Sequence, residues 1–221
     1  MRRAPWPVGL LFGVSLAVAI LLAGPLFLFN PLFTSLLQAR HEVAASFAVT
    51  EADVGRVTTD LLVDIYTEGS FDAAFAGQAP LLDERERSHM HDVSRLVRIL
   101  AAVAVLGVVA AGVTGAWLNP EPRRQGRIML LAGGGIGAIG LLVGIAFAVA
   151  FEPTFLAFHA IFFPPGTFLF EPGSNLITLF PEPFWFDASL AAGATVLLSA
   201  AIVALLGLRR FRSGGPTPQS A

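Results

Sequence analysis

Residues 96–118 read LVRILAAVAVLGVVAAGVTGAWL, and this stretch decides the fold class of the chain. A helix needs about 20 predominantly apolar residues to cross the hydrocarbon core of a bilayer, which is about 30 Å thick. The stretch is long enough, and its one charged residue, Arg98, lies near its start. An arginine there can extend its guanidinium to the membrane surface. Residues 96–118 are therefore predicted to form a transmembrane helix.

Three further stretches of this kind, residues 8–29, 128–151 and 188–208, contain no charged residue. Over the whole chain 55% of the residues are hydrophobic and 14% are charged, whereas about 25% are charged in a typical soluble domain. The first stretch is too long for the apolar region of a signal peptide, and no small-x-small cleavage site follows it, so an uncleaved span is expected. The sequence predicts an all-α integral membrane protein, a single membrane domain over residues 1–221 with four transmembrane helices.

The charges between these spans predict the orientation of the chain. Eight arginines lie before the first span, between the second and third, or after the fourth: Arg2, Arg3, Arg123, Arg124, Arg127, Arg209, Arg210 and Arg212. Glu121 is the only acid among them. The positive-inside rule therefore predicts cytoplasmic termini, with residues 119–127 as a cytoplasmic loop and 209–221 as a cytoplasmic tail. Two extracytoplasmic segments, 30–95 and 152–187, follow from this orientation.

The first extracytoplasmic segment, residues 30–95, is predicted to be helical. Thr50 and Asp53 have the spacing of a capping box and precede apolar residues at helical spacing. From residue 83 the sequence DERERSHMHDVSR runs without proline or glycine into the second span, which predicts one helix from about residue 83 to 118.

Within this helix His89 and Asp92, three residues apart, share a face, and His91 points elsewhere. The acids Asp83, Glu84 and Glu86 are predicted to form a solvated face.

The second extracytoplasmic segment, residues 152–187, contains six prolines and ten phenylalanine or tryptophan residues. A solvated loop does not carry so many aromatic side chains, whereas a segment at the membrane surface does. An aromatic-rich interfacial or re-entrant loop is therefore predicted. His159 is the one ionisable residue between residues 154 and 170, and an ionisable group in such surroundings is a candidate for function.

Several functional classes are excluded by composition. The chain has neither cysteine nor lysine, so disulfides, thiol nucleophiles and Schiff-base lysines are absent. No basic stripe with interleaved aromatic residues occurs, so nucleic acid is not an expected partner. A literal GxGxxG at Gly135, Gly137 and Gly140 lies within an apolar span instead of between a strand and a helix, so no dinucleotide site is predicted. The small-xxx-small spacing of Gly133 and Gly137 indicates close helix packing.

Three motifs together resemble a known family. His89-Met90-His91-Asp92-Val93 leads into the second span, Phe158-His159-Ala160-Ile161-Phe162-Phe163 follows the third, and LITLFPEPFWFD over residues 176–187 precedes the fourth. In order, placement and loop length the chain is similar to the lipoprotein intramolecular transacylase family of four-span bacterial membrane proteins.

The resemblance implies an acyl transfer at the outer face of the bacterial plasma membrane. Members of this family move the sn-2 acyl chain of a diacylglyceryl-cysteine lipoprotein to the amine of the same cysteine, which gives a lyso-form lipoprotein. The two functional histidines of the family correspond to His89 and His159. The implied partners are the lipid-modified lipoprotein and membrane phospholipid, and no metal or other cofactor is implied.

The residues fit this chemistry. Donor and acceptor lie on one substrate, so positioning can replace a covalent nucleophile. Histidine, with an ordinary pKa of about 6.5, can take the proton from an amine and return it to the departing glycerol oxygen. Asp92 is a candidate for orienting one imidazole. The candidates for binding the substrate or its oxyanion are Tyr66, Ser174, Asn175 and His91.

Two alternatives use the same residues differently. One is an outward-facing metal-dependent membrane hydrolase, in which His89, His91, Asp92 and His159 bind the metal. The other is a non-enzymatic lipid-binding or scaffold protein, in which the histidines have no chemical role.

Overall fold

The computed structural model describes residues 4–213, and all regular secondary structure in that range is helical. Arg2, Arg3 and the end of the predicted tail, residues 214–221, lie outside the described residues. The helices are α1 (Trp6–Phe27), α2 (Pro31–Arg40), α3 (Val43–Ser46), α4 (Glu51–Thr67), α5 (Glu84–Leu118), α6 (Pro122–Val149), α7 (Phe151–Phe162), α8 (Asn175–Leu179) and α9 (Glu182–Ser213). The predicted all-α fold is confirmed.

Four of these helices, α1, α5, α6 and α9, are long and apolar enough to cross a membrane. Each contains nearly all of one predicted span, so the protein is a multi-pass membrane protein. Helix α5 begins at Glu84 and continues without a break to Leu118, as the sequence predicts. Its first turns carry the charged residues, and the apolar portion that can cross the bilayer follows them.

The chain forms two compact units. One comprises the chain up to Gly24, Ala101–Val143 and the chain from Gly193 onward. In this unit α6 packs closely on α9, because a Cβ atom added at Gly133 would lie 2.6 Å from the carbonyl oxygen of Ala200. Gly135, Gly137 and Gly140 lie inside α6, so the GxGxxG residues form no phosphate-binding loop.

The other unit comprises Pro25–Leu100 and Gly144–Ala192. Helix α4 supplies much of its core through buried side chains: Val54, Val57, Leu61, Leu62 and Ile65. The predicted capping box of α4 is present, with both Thr50–Asp53 hydrogen bonds made. Gln38 is fully buried and joins three elements: its amide nitrogen donates to Leu179 O at 3.1 Å, and its amide oxygen accepts from Thr58 at 3.0 Å.

The aromatic-rich segment 152–187 contains more helix than its prolines suggest, namely most of α7, all of α8 and the start of α9. Pro153 lies in the first turn of α7. A proline is tolerated there because the first backbone N–H groups of a helix have no partner within it. The expectation of a loop therefore underestimates the helical content, and α7 is the element that carries His159.

Candidate active site

His89 is positioned by the first turns of α5 and is almost fully buried, with 6% of its surface exposed. Its imidazole lies against two aromatic rings from the segment after α7, with centroid distances of 4.9 Å to Phe163 and 5.6 Å to Phe170. Its Nδ1 atom is buried and has no hydrogen-bond partner among the described residues. Buried polar atoms are nearly always paired, so an orphaned one calls for an explanation, and a catalytic role is one of the few on record.

His159, on α7, faces His89. The two rings are nearly parallel, with centroids 6.2 Å apart and an interplanar angle of 27°. The Nδ1 atom of His159 lies 2.8 Å from the carbonyl oxygen of Phe155. A carbonyl oxygen can only accept, so Nδ1 carries the proton. In the neutral imidazole the other nitrogen, Nε2, is then an available base.

The surroundings keep both imidazoles neutral. Burial, and to a smaller degree the charge of His159, lowers the pKa of His89 from 6.5 to about 4. Burial also lowers the pKa of His159, and the hydrogen bond to Phe155 opposes this effect. Neutral histidines can accept a proton at physiological pH, which a charged histidine cannot.

Glu86 positions the helix that carries His89, and the prediction that it lies on a solvated face is wrong. Its side chain is buried, with 1% exposed. One carboxylate oxygen accepts from the backbone N–H of Asp83 at 2.8 Å, and the other accepts from Leu176 N–H at 2.8 Å. Glu86 therefore caps α5 and also ties it to α8. The spacing of Asp83 and Glu86 gave a signal for the cap, but the bond to Leu176 spans 90 positions and leaves no local pattern.

Arg85 holds the segment that covers His89. One guanidinium nitrogen donates to Gly166 O at 3.0 Å and to Leu169 O at 2.7 Å. The guanidinium also lies over the ring of Phe170, 5.6 Å from its centroid. Since Phe170 contacts His89, Arg85 keeps an aromatic side chain against that histidine.

Each of the remaining candidates has a contact of its own or is partly exposed. His91 lies edge-on against Phe71, at 5.0 Å. Asp92 lies 4.0 Å from Arg95, and the ring of Tyr66 is 45% exposed. Ser174 caps α8, and the side chain of Asn175 donates to Leu81 O at 2.6 Å.

A separate group of charged side chains, which contains one histidine, lies between α2 and α9. His41 Nε2 is 3.0 Å from Asp187, and Arg40 is 3.2 Å from the same carboxylate oxygen. Within residues 4–213 no group of three or more histidine, aspartate or glutamate side chains is arranged to hold a metal ion.

The chain matches one family model and one curated protein. The family model described as lipoprotein intramolecular transacylase Lit matches residues 9–185. An uncharacterized protein of Aquifex aeolicus (strain VF5) is 27% identical over 134 residues, which is 59% of this chain and 59% of that protein. The chain thus spans about three fifths of the length of this curated relative.

The solved structures show the same fold. The membrane integral lipoprotein intramolecular transacylase Lit from Bacillus cereus is similar with a TM-score of 0.82 and 16% identity, over 93% of this chain and 95% of that chain. A form of that protein with one histidine replaced by arginine gives a TM-score of 0.74 and 16% identity, over 93% and 91% of the two chains. Since the matched residues 9–185 cover most of the sequence and include both histidines, the chain belongs to the lipoprotein intramolecular transacylase family.

Proposed function

We propose that this protein is a cofactor-independent intramolecular O-to-N acyltransferase. It transfers the sn-2 acyl chain of a diacylglyceryl-cysteine lipoprotein to the α-amine of that cysteine and so produces the lyso form. The observation that carries the proposal is the buried Nδ1 of His89, which has no partner within the described residues, beside the parallel ring of His159.

The two histidines have different roles in this proposal. His159 Nε2 takes a proton from the α-amine while the nitrogen of that amine attacks the carbonyl carbon of the sn-2 ester. The carbon–oxygen bond to glycerol then breaks, and the same imidazolium returns the proton to the glycerol oxygen. The net change is an ester and an amine converted to an alcohol and an amide.

His89 supports the transition state as a neutral group. Its lowered pKa, about 4, disfavours the imidazolium, so the proton on Nδ1 serves as a hydrogen-bond donor to the developing oxyanion. A donor fixed in a buried site stabilises such a charge more than water does.

The distribution of arginines supports a plasma-membrane orientation with both termini in the cytoplasm. The loop between α5 and α6 then lies in the cytoplasm. His89 and His159, which belong to the predicted segment 30–95 and the predicted segment 152–187, face the extracytoplasmic side. The lipoprotein substrate and membrane phospholipid reach the histidines from that side.

Mass spectrometry of a reporter lipoprotein tests the proposal. The protein is expressed in a host that makes only diacylated lipoproteins, and the N-terminal peptide of the reporter is fragmented. Conversion to the isobaric lyso form is expected. His89→Ala and His159→Ala are each expected to lower the conversion by about a hundredfold or more, as loss of an acid–base group typically does.

His91→Gln is the matched control, because His91 lies on the same helix but contacts Phe71. It should convert the reporter like the unaltered protein. A reporter that remains diacylglyceryl despite normal membrane expression would refute the substrate assignment. A product lighter by one fatty acid, formed only without a chelator, would instead establish the metal-dependent hydrolase.

A further inference from the structure

An open surface cavity of about 520 Å³ lies in the unit that lacks the histidine pair, between the ends of α5, α6 and α9. Its lining is amphipathic: Met129 and Leu206 are apolar, and the other lining residues are polar or charged, namely Asn119, Gln125, Arg209, Arg210 and Ser213. A cavity at the end of a transmembrane helix with charged and apolar walls matches a molecule with a charged head and an apolar tail.

The two arginines of this cavity differ in their partners. Arg210 is held in place by neutral groups: its Nε donates to Gln125 Oε1 at 2.7 Å, and its Nη2 donates to the side chain of Asn119. Its Nη1 has no hydrogen-bond partner within residues 4–213. Arg209 is exposed and forms no ion pair with any described residue.

The charge around the cavity is not neutralised by the described part of the chain. Six arginines lie at this end of the unit: Arg123, Arg124, Arg127, Arg209, Arg210 and Arg212. The one acid beside them, Glu121, pairs with Arg124 at 3.3 Å. Arginines near the C-terminal end of a helix also complement its negative dipole, but they keep a net positive field that attracts an anion.

We propose that this cavity binds an anionic phospholipid, with the phosphodiester on Arg209 and Arg210 and the start of an acyl chain on Met129 and Leu206. Basic pockets between transmembrane helices are suited to acidic headgroups. A guanidinium that is already held through Nε by Gln125 and through Nη2 by Asn119 loses little freedom when a phosphate accepts from its Nη1. A free phosphate would leave the apolar wall unused, so the lipid is favoured. The proposal is independent of the acyl-transfer reaction.

Native mass spectrometry of the detergent-solubilised protein tests this site. Phosphatidylglycerol and phosphatidylcholine with identical acyl chains are titrated separately, and inorganic phosphate and glycerol phosphate serve as headgroup probes without a tail. Tight binding of one phosphatidylglycerol is expected, with phosphatidylcholine and both soluble probes at least about tenfold weaker.

Arg209→Gln is expected to weaken phosphatidylglycerol binding about tenfold, the effect of losing one charge-assisted hydrogen bond, and Arg209→Lys should restore part of it. Because Arg209 has no partner within residues 4–213, its replacement leaves the fold intact. Arg127→Gln is the matched control, since it removes the same charge from an exposed arginine of α6 outside the cavity lining.

Equal losses in Arg209→Gln and Arg127→Gln would overturn the proposal in favour of a diffuse electrostatic attraction. Equal affinity for the two lipids would also overturn it. Binding of inorganic phosphate or glycerol phosphate as tight as that of phosphatidylglycerol would refute the lipid and leave a soluble phosphate as the ligand.

Discussion

His89 is charged only at a cost, because its imidazole is buried beside Phe163 and Phe170. In the unfolded chain the imidazole takes up a proton as the pH falls below about 6.5. In the folded protein it stays neutral until the pH approaches about 4. Between these values the unfolded state binds more protons, so the free energy of unfolding falls as the pH falls.

This difference predicts that His89 makes the protein acid-sensitive. At pH 5, the free energy of unfolding is expected to be about 2 kcal/mol lower than at pH 8 on account of this residue alone. His89→Phe keeps an aromatic ring in the site and cannot titrate, so its stability should fall less over the same pH range. Thermal unfolding in detergent at the two pH values measures both proteins, and parallel pH profiles would contradict the burial of a titrating His89.

The apolar stretch around His159 made it a candidate from the residues alone, whereas His89, in a charged helix start, became one through the resemblance to a family. Their juxtaposition depends on contacts between residues 70 positions apart, and no local pattern encodes it. The same limit explains the wrong prediction for Glu86. Its charge and its charged neighbours predicted exposure, whereas the hydrogen bond from the backbone N–H of Leu176 stabilises the buried carboxylate. The resemblance to a family, not the spacing, linked His89 with His159.

At the scale of single elements, the glycines of α6 separate into those that face α9 and those that do not. A Cβ atom at Gly133 would lie 2.6 Å from Ala200 O and 2.9 Å from Ala204 N. At Gly134, the next residue, a Cβ atom would meet nothing within 4 Å. Small residues at one face of a transmembrane helix allow such close backbone contact.

Gly133→Ala is therefore expected to destabilise the protein by about 1–3 kcal/mol, the usual cost of adding a methyl group to a tightly packed site. The contact is with backbone atoms, which cannot move aside as a flexible side chain can. Thermal unfolding in detergent provides the measurement. Gly134→Ala is the control and should leave the unfolding free energy unchanged or raise it by up to about 1 kcal/mol, because its methyl group meets nothing and alanine favours a helix. A matching loss of stability in both variants would contradict packing on α9 as the cause, because alanine has the higher helix propensity and nothing obstructs a methyl group at Gly134.

The long elements were predictable because hydropathy and bilayer thickness fix them locally. The predicted helix from about residue 83 to 118 corresponds to α5, Glu84–Leu118. The helix α7 was not predicted, since the six prolines and many aromatic residues of 152–187 indicated an interfacial or re-entrant loop. Where a proline falls relative to a helix start decides its effect, and the sequence alone does not place that start.

At the scale of the whole molecule, the orientation of the chain in the membrane is the property on which the proposed reaction depends. The proposed lipoprotein substrate is anchored at the outer face, so the proposal requires that His89 and His159 open to that face. Natural cysteines are absent from the sequence, so a single introduced cysteine reports one position without background.

Two exposed positions test the orientation from opposite ends: Ala76, in the turn before α5, and Ser213, at the end of α9. A membrane-impermeant maleimide added to intact spheroplasts should label Ala76→Cys, because residues 30–95 are predicted to face outward, and should leave Ser213→Cys unlabelled until the membrane is opened. Ser213→Cys labelled after lysis serves as the control for reactivity.

The converse labelling pattern would place the histidine pair in the cytoplasm, where a lipoprotein anchored at the outer face cannot reach it. That result would exclude the transacylase reaction, although the family and the fold would be unchanged. Labelling of both positions in intact spheroplasts would contradict the four-span topology itself. Ala76 follows one crossing and Ser213 follows four, so the two positions must lie on opposite sides of the membrane.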